Sequence, residues 1–337
     1  MTGYHGGVPA DGYCMHRDLE IATPALRFRI GERTLWTWKL RLLDVGEAER
    51  NQPPWLEFRP QELPQQVDGI LCRRLPIGRL PLGLSRQGKW LCYVRGIEKL
   101  YFVDIAGSFD AYLRRFSAKR RHNLRRSVRW FAERSHDRPM TIASEPGQME
   151  EFQRLACEIS RQTYQDRLLA AGMPRGPEFL AKMQEAARRG MARGYLLWCE
   201  GKAAAFAWCT GHGERLNYGV IGYLPEFSRM SPGTTLLYLI LESLFQERTF
   251  RQFDFGVGEA WYKEAFSTGS EEFIQAMLLP PSLANAVRIR AFQALEALNY
   301  HAGRWLDRLG LKRAVKHLLR RAAGAAPGRE REPRQEG

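Results

Sequence analysis

The sequence has no paired cysteines. Its six, Cys14, Cys72, Cys92, Cys157, Cys199 and Cys209, stand singly, with no CxxC spacing and no histidine at a ligand spacing from any of them. That excludes a zinc ribbon and a dithiol redox motif, and no metal is expected. Cys157, Cys199 and Cys209 fall inside apolar patterns, where a reduced, buried thiol is expected. The opening residues MTGYHGGVPADGY carry no basic stretch followed by an apolar one. Together these features predict a cytoplasmic protein, or one peripheral at the inner membrane face. Long hydrophobic runs are missing too. The longest, Leu236–Phe245, contains Glu242 and is too short to cross a bilayer. No internal repeat is evident.

Lysine is scarce. Only nine of the 51 basic residues are Lys and the rest are Arg, and with 37 acidic residues the net charge is +14. Such an excess concerns partners rather than fold, and favours polyanions: nucleic acid, an anionic leaflet or a phosphorylated cofactor. What is present is otherwise ordinary. A chain of 337 residues, 44% hydrophobic and 26% charged, makes two modest domains or one large one, and is neither disordered nor fibrous.

Four stretches follow from the pattern. Residues 1–138 begin with Pro-, Gly- and Trp-rich extended pieces such as Leu35–Leu43 and Trp90–Val94, and end in a basic helix over 110–134. That helix carries Tyr112, Phe116, Leu124, Val128 and Phe131 on one stripe and the run from Lys119 to Arg126 on the others. Residues 139–281 read as an α+β (mixed α/β) domain, a mixed sheet flanked by helices. It runs from a strand (Met140–Ala143) through two helices (Gln148–Arg161, Pro177–Arg189) to an antiparallel meander (Tyr195–Glu200, Ala203–Cys209, Arg215–Ile221). A helix (Pro232–Glu247), a strand (Phe250–Phe255) parallel to the last of the meander, a short helix near Tyr262–Phe266 and a strand (Glu272–Leu279) complete it. Residues 282–321 form basic amphipathic helices broken near Gly310, and 322–337 a disordered tail.

Two places carry chemistry. Ser231-Pro232-Gly233-Thr234-Thr235 opens a helix with a capping hydroxyl at Ser231, Pro at the first helical position and small residues that admit a ligand. Free amides and the positive dipole end make it an anion site, a pyrophosphate being the usual occupant at such a strand edge. The stretch from Phe253 to Phe266 places Asp254, Glu259, Tyr262 and Lys263 at a strand's carboxyl end, with glycines making room. A tyrosine there could protonate a leaving thiolate, and a carboxylate or His take a proton from an amine or hydroxyl.

The order of elements from Met140 to Leu279, the Ser-Pro-Gly helix start, the Asp-Phe-Gly…Tyr-Lys…Phe segment and the basic Ser117–Arg126 run resemble the GNAT acyltransferase superfamily, within it the CelD-like, FemAB-related bacterial branch. The resemblance covers about residues 110–280, and the first 138 residues match only as a degenerate GNAT-like half. It implies acyl transfer from acetyl-CoA or another acyl-CoA to an amine or hydroxyl, on a sugar or an exopolysaccharide or cell-envelope precursor. By the same resemblance the coenzyme would be held by Arg229, Ser231, Pro232, Gly233, Thr234 and Thr235, with Val220 and Ile221 in a splay between two strands. Tyr262 would be the general acid. Glu259, Asp254 and His212, in that order, would be candidates for the base, and Lys263, His212 and Tyr218 would contact the acceptor. The usual pyrophosphate loop is reduced here to Arg229–Thr234.

The basic helix has three readings: a solvated face, a hold on a phosphorylated substrate, or a grip on tRNA, as in a Fem-type aminoacyl-tRNA-dependent transferase. No RNA-stacking aromatic motif is visible, so nucleic acid ranks behind a small-molecule or glycan acceptor. A non-catalytic scaffold of an envelope-synthesis complex is the third alternative. The C-terminal helices, with Val287, Phe292, Leu295 and Trp305, could cover the protein's own flank or touch an anionic leaflet.

Overall fold

The computed structural model describes residues 21–31, 33–47, 58–136, 138–162, 172–258 and 260–308. In chain order its elements are β1 (Ile21–Ala22), β2 (Ala25–Ile30), β3 (Arg33–Lys39), β4 (Leu42–Glu47), β5 (Gly69–Leu75), β6 (Gly83–Gln87), β7 (Trp90–Asp104), α1 (Phe109–Leu113) and α2 (Ala118–Glu133). There follow β8 (Met140–Ala143), α3 (Met149–Gln162), α4 (Pro177–Arg188), β9 (Ala192–Cys199), β10 (Lys202–His212), β11 (Arg215–Tyr223) and α5 (Pro232–Glu247). Last come β12 (Gln252–Val257), α6 (Trp261–Phe266), β13 (Gly269–Leu279) and α7 (Leu283–Arg308). Among the described residues no helix is long and apolar enough to cross a membrane. Two compact units result, one of residues 1–97 with 273–337, the other of 98–272.

In the first unit β2 and β3 form a hairpin, β4 runs parallel to β5, and β5 pairs antiparallel with Ile274–Leu278 of β13. The single strand expected over Leu35–Leu43 is two strands. At the break the Leu40 amide donates to Pro24 and the Arg41 amide to the Asp68 carboxylate, so the chain changes partners there. Helix α7 lays Ile289 and Phe292 on β2, Phe292 meeting Phe28 edge-on at 5.4 Å.

The second unit holds the site. Its strands lie in the order β8-β9-β10-β11-β12-β7, antiparallel except for β11 and β12, which run parallel because α5 crosses between them. Successive residues of a strand point to opposite faces. Tyr195, Leu197, Ala205 and Ala207 therefore pack under α1, α2, α5 and α6, while Leu196, Phe206 and Trp208 pack under α3 and α4. Apolar residues on both faces are what a sheet buried on both sides requires.

The helix expected over 110–134 is interrupted. Ser108 accepts from the Ala111 amide and caps α1, Ser117 accepts from the Arg120 amide and caps α2, and Phe116 is buried between them. The basic helix also groups with residues 139–272, not with the chain before it. The cause is packing, since Tyr112, Leu124 and Phe131 share one core with Leu236, Ile240 and Phe245 of α5.

Candidate active site

The parallel ladder between β11 and β12 ends at Asn217 opposite Asp254, although β11 continues to Tyr223 and β12 to Val257. Both strands have a local reason to part. In β11 Gly219 is an extra residue, Trp208 pairing with Val220 and Cys209 with Tyr218, and such a bulge bends its strand. In β12 the Gly256 amide turns back to Asp254 Oδ1 at 2.6 Å, and Gly256 takes a φ of 72°, a conformation that favours glycine. Beyond Asn217 the edge of β11 that faces β12, including the Val220–Ile221 stretch, is left without a strand partner. An extended ligand arm can add to such an edge as another strand would.

Next to that opening α5 begins. The turn Pro225–Met230 leads into Ser231, which sits at φ 52° and ψ 54° and gives no side-chain cap. The expected capping hydroxyl is therefore not used, because the left-handed backbone of Ser231 directs the chain otherwise. Pro232, buried, brings no N–H, and the amides of Gly233 and Thr234 have no acceptor within the helix. A Cβ on Gly233 would meet only the Tyr223 ring, at 3.7 Å, so the approach is open. Exposed Arg229 in the preceding turn adds a positive charge without a carboxylate partner among the described residues. Thr235 is different. It is 1% exposed, its amide donates to the Ser231 carbonyl, and its hydroxyl lies 2.8 Å from that of Ser127, so it braces the helix start from behind.

Ser127, on α2, was not singled out from sequence. It donates to the Met230 carbonyl at 2.6 Å and so ties the turn to the helix beneath it. The signal was there: Ser127 is a lone hydroxyl on the stripe that carries Leu124, Val128 and Phe131. Asn217 is a second omission, its Oδ1 standing 4.0 Å from where a Cβ of Gly256 would lie.

At the carboxyl end of β12 the charged residues hold the turn rather than face a ligand. Asp254 is 1% exposed and Lys263 9%, and the Lys263 ammonium donates to the Val257 carbonyl at 2.9 Å and the Gly256 carbonyl at 3.3 Å. Burial lowers the pKa of Lys263, while the charge of Asp254 opposes that shift. The sequence placed Asp254 as a base and Lys263 at the acceptor; the structure gives both to the Gly256–Gly258 turn. Lys263→Met, which keeps the aliphatic stem, should lower the unfolding free energy by about 1 kcal/mol by removing two hydrogen bonds to half-buried carbonyls of the turn. The check is the urea midpoint, and an unchanged midpoint would deny the brace.

Tyr262 is half-buried, edge-on to Phe255 with centroids 6.1 Å apart, and its hydroxyl makes no hydrogen bond to a described residue. Burial pushes its phenol above the ordinary 10.0, so it stays protonated at neutral pH. Tyr218, expected at the acceptor, is 5% exposed between Phe253 and Phe255, and desolvation raises its phenol far further. It belongs to the core. His212 pairs with Arg215 in the hairpin at the end where β12 begins, opposite to the end that leads to Tyr262. Glu259 lies outside the described residues. Among those described, no group of His, Cys, Asp and Glu could hold a metal ion.

Comparison with known proteins bears on this region. Residues 118–264 match the acetyltransferase (GNAT) domain family. Among solved structures the chain is similar to the C-terminal domain of a putative lysylphosphatidylglycerol synthetase from Agrobacterium fabrum, with TM-score 0.43 and 15% identity, covering 67% of this chain and 72% of that one. It is similar to L-PGS from Bacillus licheniformis, with TM-score 0.42 and 16% identity over 66% and 72% of the two chains. For FemX the values are 0.46 and 11%, over 77% and 88%. No curated protein matches. The family match begins where α2 begins and ends within α6, so the stretch that matches the acetyltransferase (GNAT) domain family is the one that builds the opening and its helix start.

Proposed function

We propose that the domain moves an acyl group, acetyl in the first instance, from acyl-CoA to an amine or hydroxyl on a sugar or cell-envelope precursor. The observation that carries this reading is the parting of β11 and β12 beside an α5 start whose first amides are uncapped. The residues present fit the coenzyme: Gly233 leaves room, Arg229 and the amides of Gly233 and Thr234 offer positive charge, and the β11 edge offers backbone groups. Acyl-CoA, when bound, supplies an activated thioester. Arg229 and the two amides hold the pyrophosphate, the Val220–Ile221 edge aligns the arm, and the Tyr262 hydroxyl gives its proton to the departing sulfur. Of the residues considered for taking the acceptor's proton, Asp254 is sealed in the turn and His212 stands at the other end of β11, which leaves Glu259 as the residue to replace first.

Thermal unfolding with CoA and with acetyl-CoA tests the reading. At one hundred times the dissociation constant either ligand should stabilise the fold by about 2.7 kcal/mol, a rise of several degrees in Tm. No rise with either ligand refutes coenzyme use.

A further inference from the structure

Helices α2 and α5 enclose a groove of about 630 Å³ that the acyl-transfer reading does not use. It is lined by Arg121, His122, Arg125, Arg129, Tyr238 and Glu242. We propose that this groove is a second ligand site, which takes a phosphate ester that also carries hydroxyl groups, with Arg121, Arg125 and Arg129 on the phosphate and Glu242 on a hydroxyl.

Charge balance is the first argument. On α3 and α4 several arginines have carboxylate partners: Arg154 bonds Glu151 and Glu158, each at 2.6 Å, and Arg188 and Arg189 bond Glu185 at 2.9 and 2.8 Å. On α2 none of Arg121, Arg125 and Arg129 forms an ion pair with a described residue. Their spacing of four puts them on one stripe about 12 Å long, where like charges repel. An anion that spans the stripe removes that repulsion.

Orientation is the second. The Arg121 guanidinium donates to the Phe116 carbonyl, which fixes one of the three side chains, and Arg125 and Arg129 line the same groove as the Tyr238 ring. The guanidinium fork matches phosphate oxygens in pairs. Glu242, half-buried in the same groove, makes no ion pair with a described residue, and burial together with Asp110 raises its carboxyl pKa. An acceptor group among arginines suits a ligand that brings a donor as well as an anion. The volume falls in the range of small-molecule sites.

The groove is separate from the coenzyme cradle. Tyr238 and Glu242 lie five and nine residues beyond Gly233, about 8 and 14 Å along α5.

The test uses the full chain, titrated with UDP-glucose in a calorimeter and sedimented with vesicles of phosphatidylglycerol in phosphatidylcholine, so that soluble and lipid phosphates are told apart. Binding of either probe is expected, weakened at least tenfold in an Arg125→Gln/Arg129→Gln variant whose Tm and CoA-induced shift stay at wild-type values. Gly233→Asp should do the reverse, losing CoA and keeping the probe. The proposal is overturned if neither probe binds, if the double variant binds unchanged, or if it loses CoA in parallel, which would make the groove part of the coenzyme site. It is equally overturned if only tRNA binds. Each of these results can occur whether or not acyl transfer is confirmed.

Discussion

Gly233→Asp should weaken CoA and acetyl-CoA binding at least a hundredfold while leaving the free protein as stable as before, or slightly more so. The two halves of that expectation have one cause. At the second position of α5 a Cβ enters open space, 3.7 Å from the Tyr223 ring and nothing nearer, so the fold has no reason to object. A carboxylate there suits the uncapped amides and the positive end of the 16-residue helix, a placement that stabilises by roughly 0.3–1 kcal/mol. It therefore fills the anion seat with the chain's own charge and repels a pyrophosphate from it. Gly233→Ala is the control: it adds the methyl without the charge, gains about 1 kcal/mol of helix propensity, and should bind CoA far better than the aspartate variant. Calorimetric titration with CoA, beside thermal unfolding of the apo proteins, reads both quantities. Equal affinity in the Asp variant would mean that the helix start is not where the coenzyme sits.

That the helix start was legible at all comes from local chemistry. Pro at the first helical position and an apolar run behind it fix α5 at Pro232–Glu247, the residues the sequence indicates, because the φ preference of proline acts within a residue or two. The strand Met140–Ala143 and the parallel pairing of β11 with β12 were equally readable, since a strand, a helix and a strand in that order restrict the topology. What the pattern does not encode is which neighbour satisfies a polar group. Ser231 looks like a cap and is not one, because its left-handed φ is set by the turn before it. Asp254 and Lys263 look free, being charged and close to glycines, yet they are sealed by a turn whose carbonyls need a donor. Tyr218 and Tyr262 are chemically alike, and only the packing of Phe253 and Phe255 makes Tyr218 a core residue while Tyr262 stays half-buried. The apolar stripe reads through Ser117, so the pattern shows no break at the residue that caps α2. Only tertiary placement shows Phe116 turning inward there.

Tyr262→Phe should lower kcat for acyl transfer by about 10²–10⁴-fold, the usual contribution of a positioned acid, with acetyl-CoA affinity and Tm near the wild-type values. The ring is retained, so its edge-on contact with Phe255 at 6.1 Å survives and only the hydroxyl is removed. The pH profile separates this role from a merely structural one. An acid must be protonated to act, and burial moves the Tyr262 phenol upward from 10.0. Desolvation therefore extends the active range toward alkali: wild-type kcat should hold level through neutral pH and fall only above pH 10. The phenylalanine variant has no such proton to lose, so its residual rate should show no decline there. Single-turnover measurements with acetyl-CoA across that interval would decide the matter. Turnover equal to wild type in Tyr262→Phe, or an alkaline decline that persists in it, would take Tyr262 out of the chemical step.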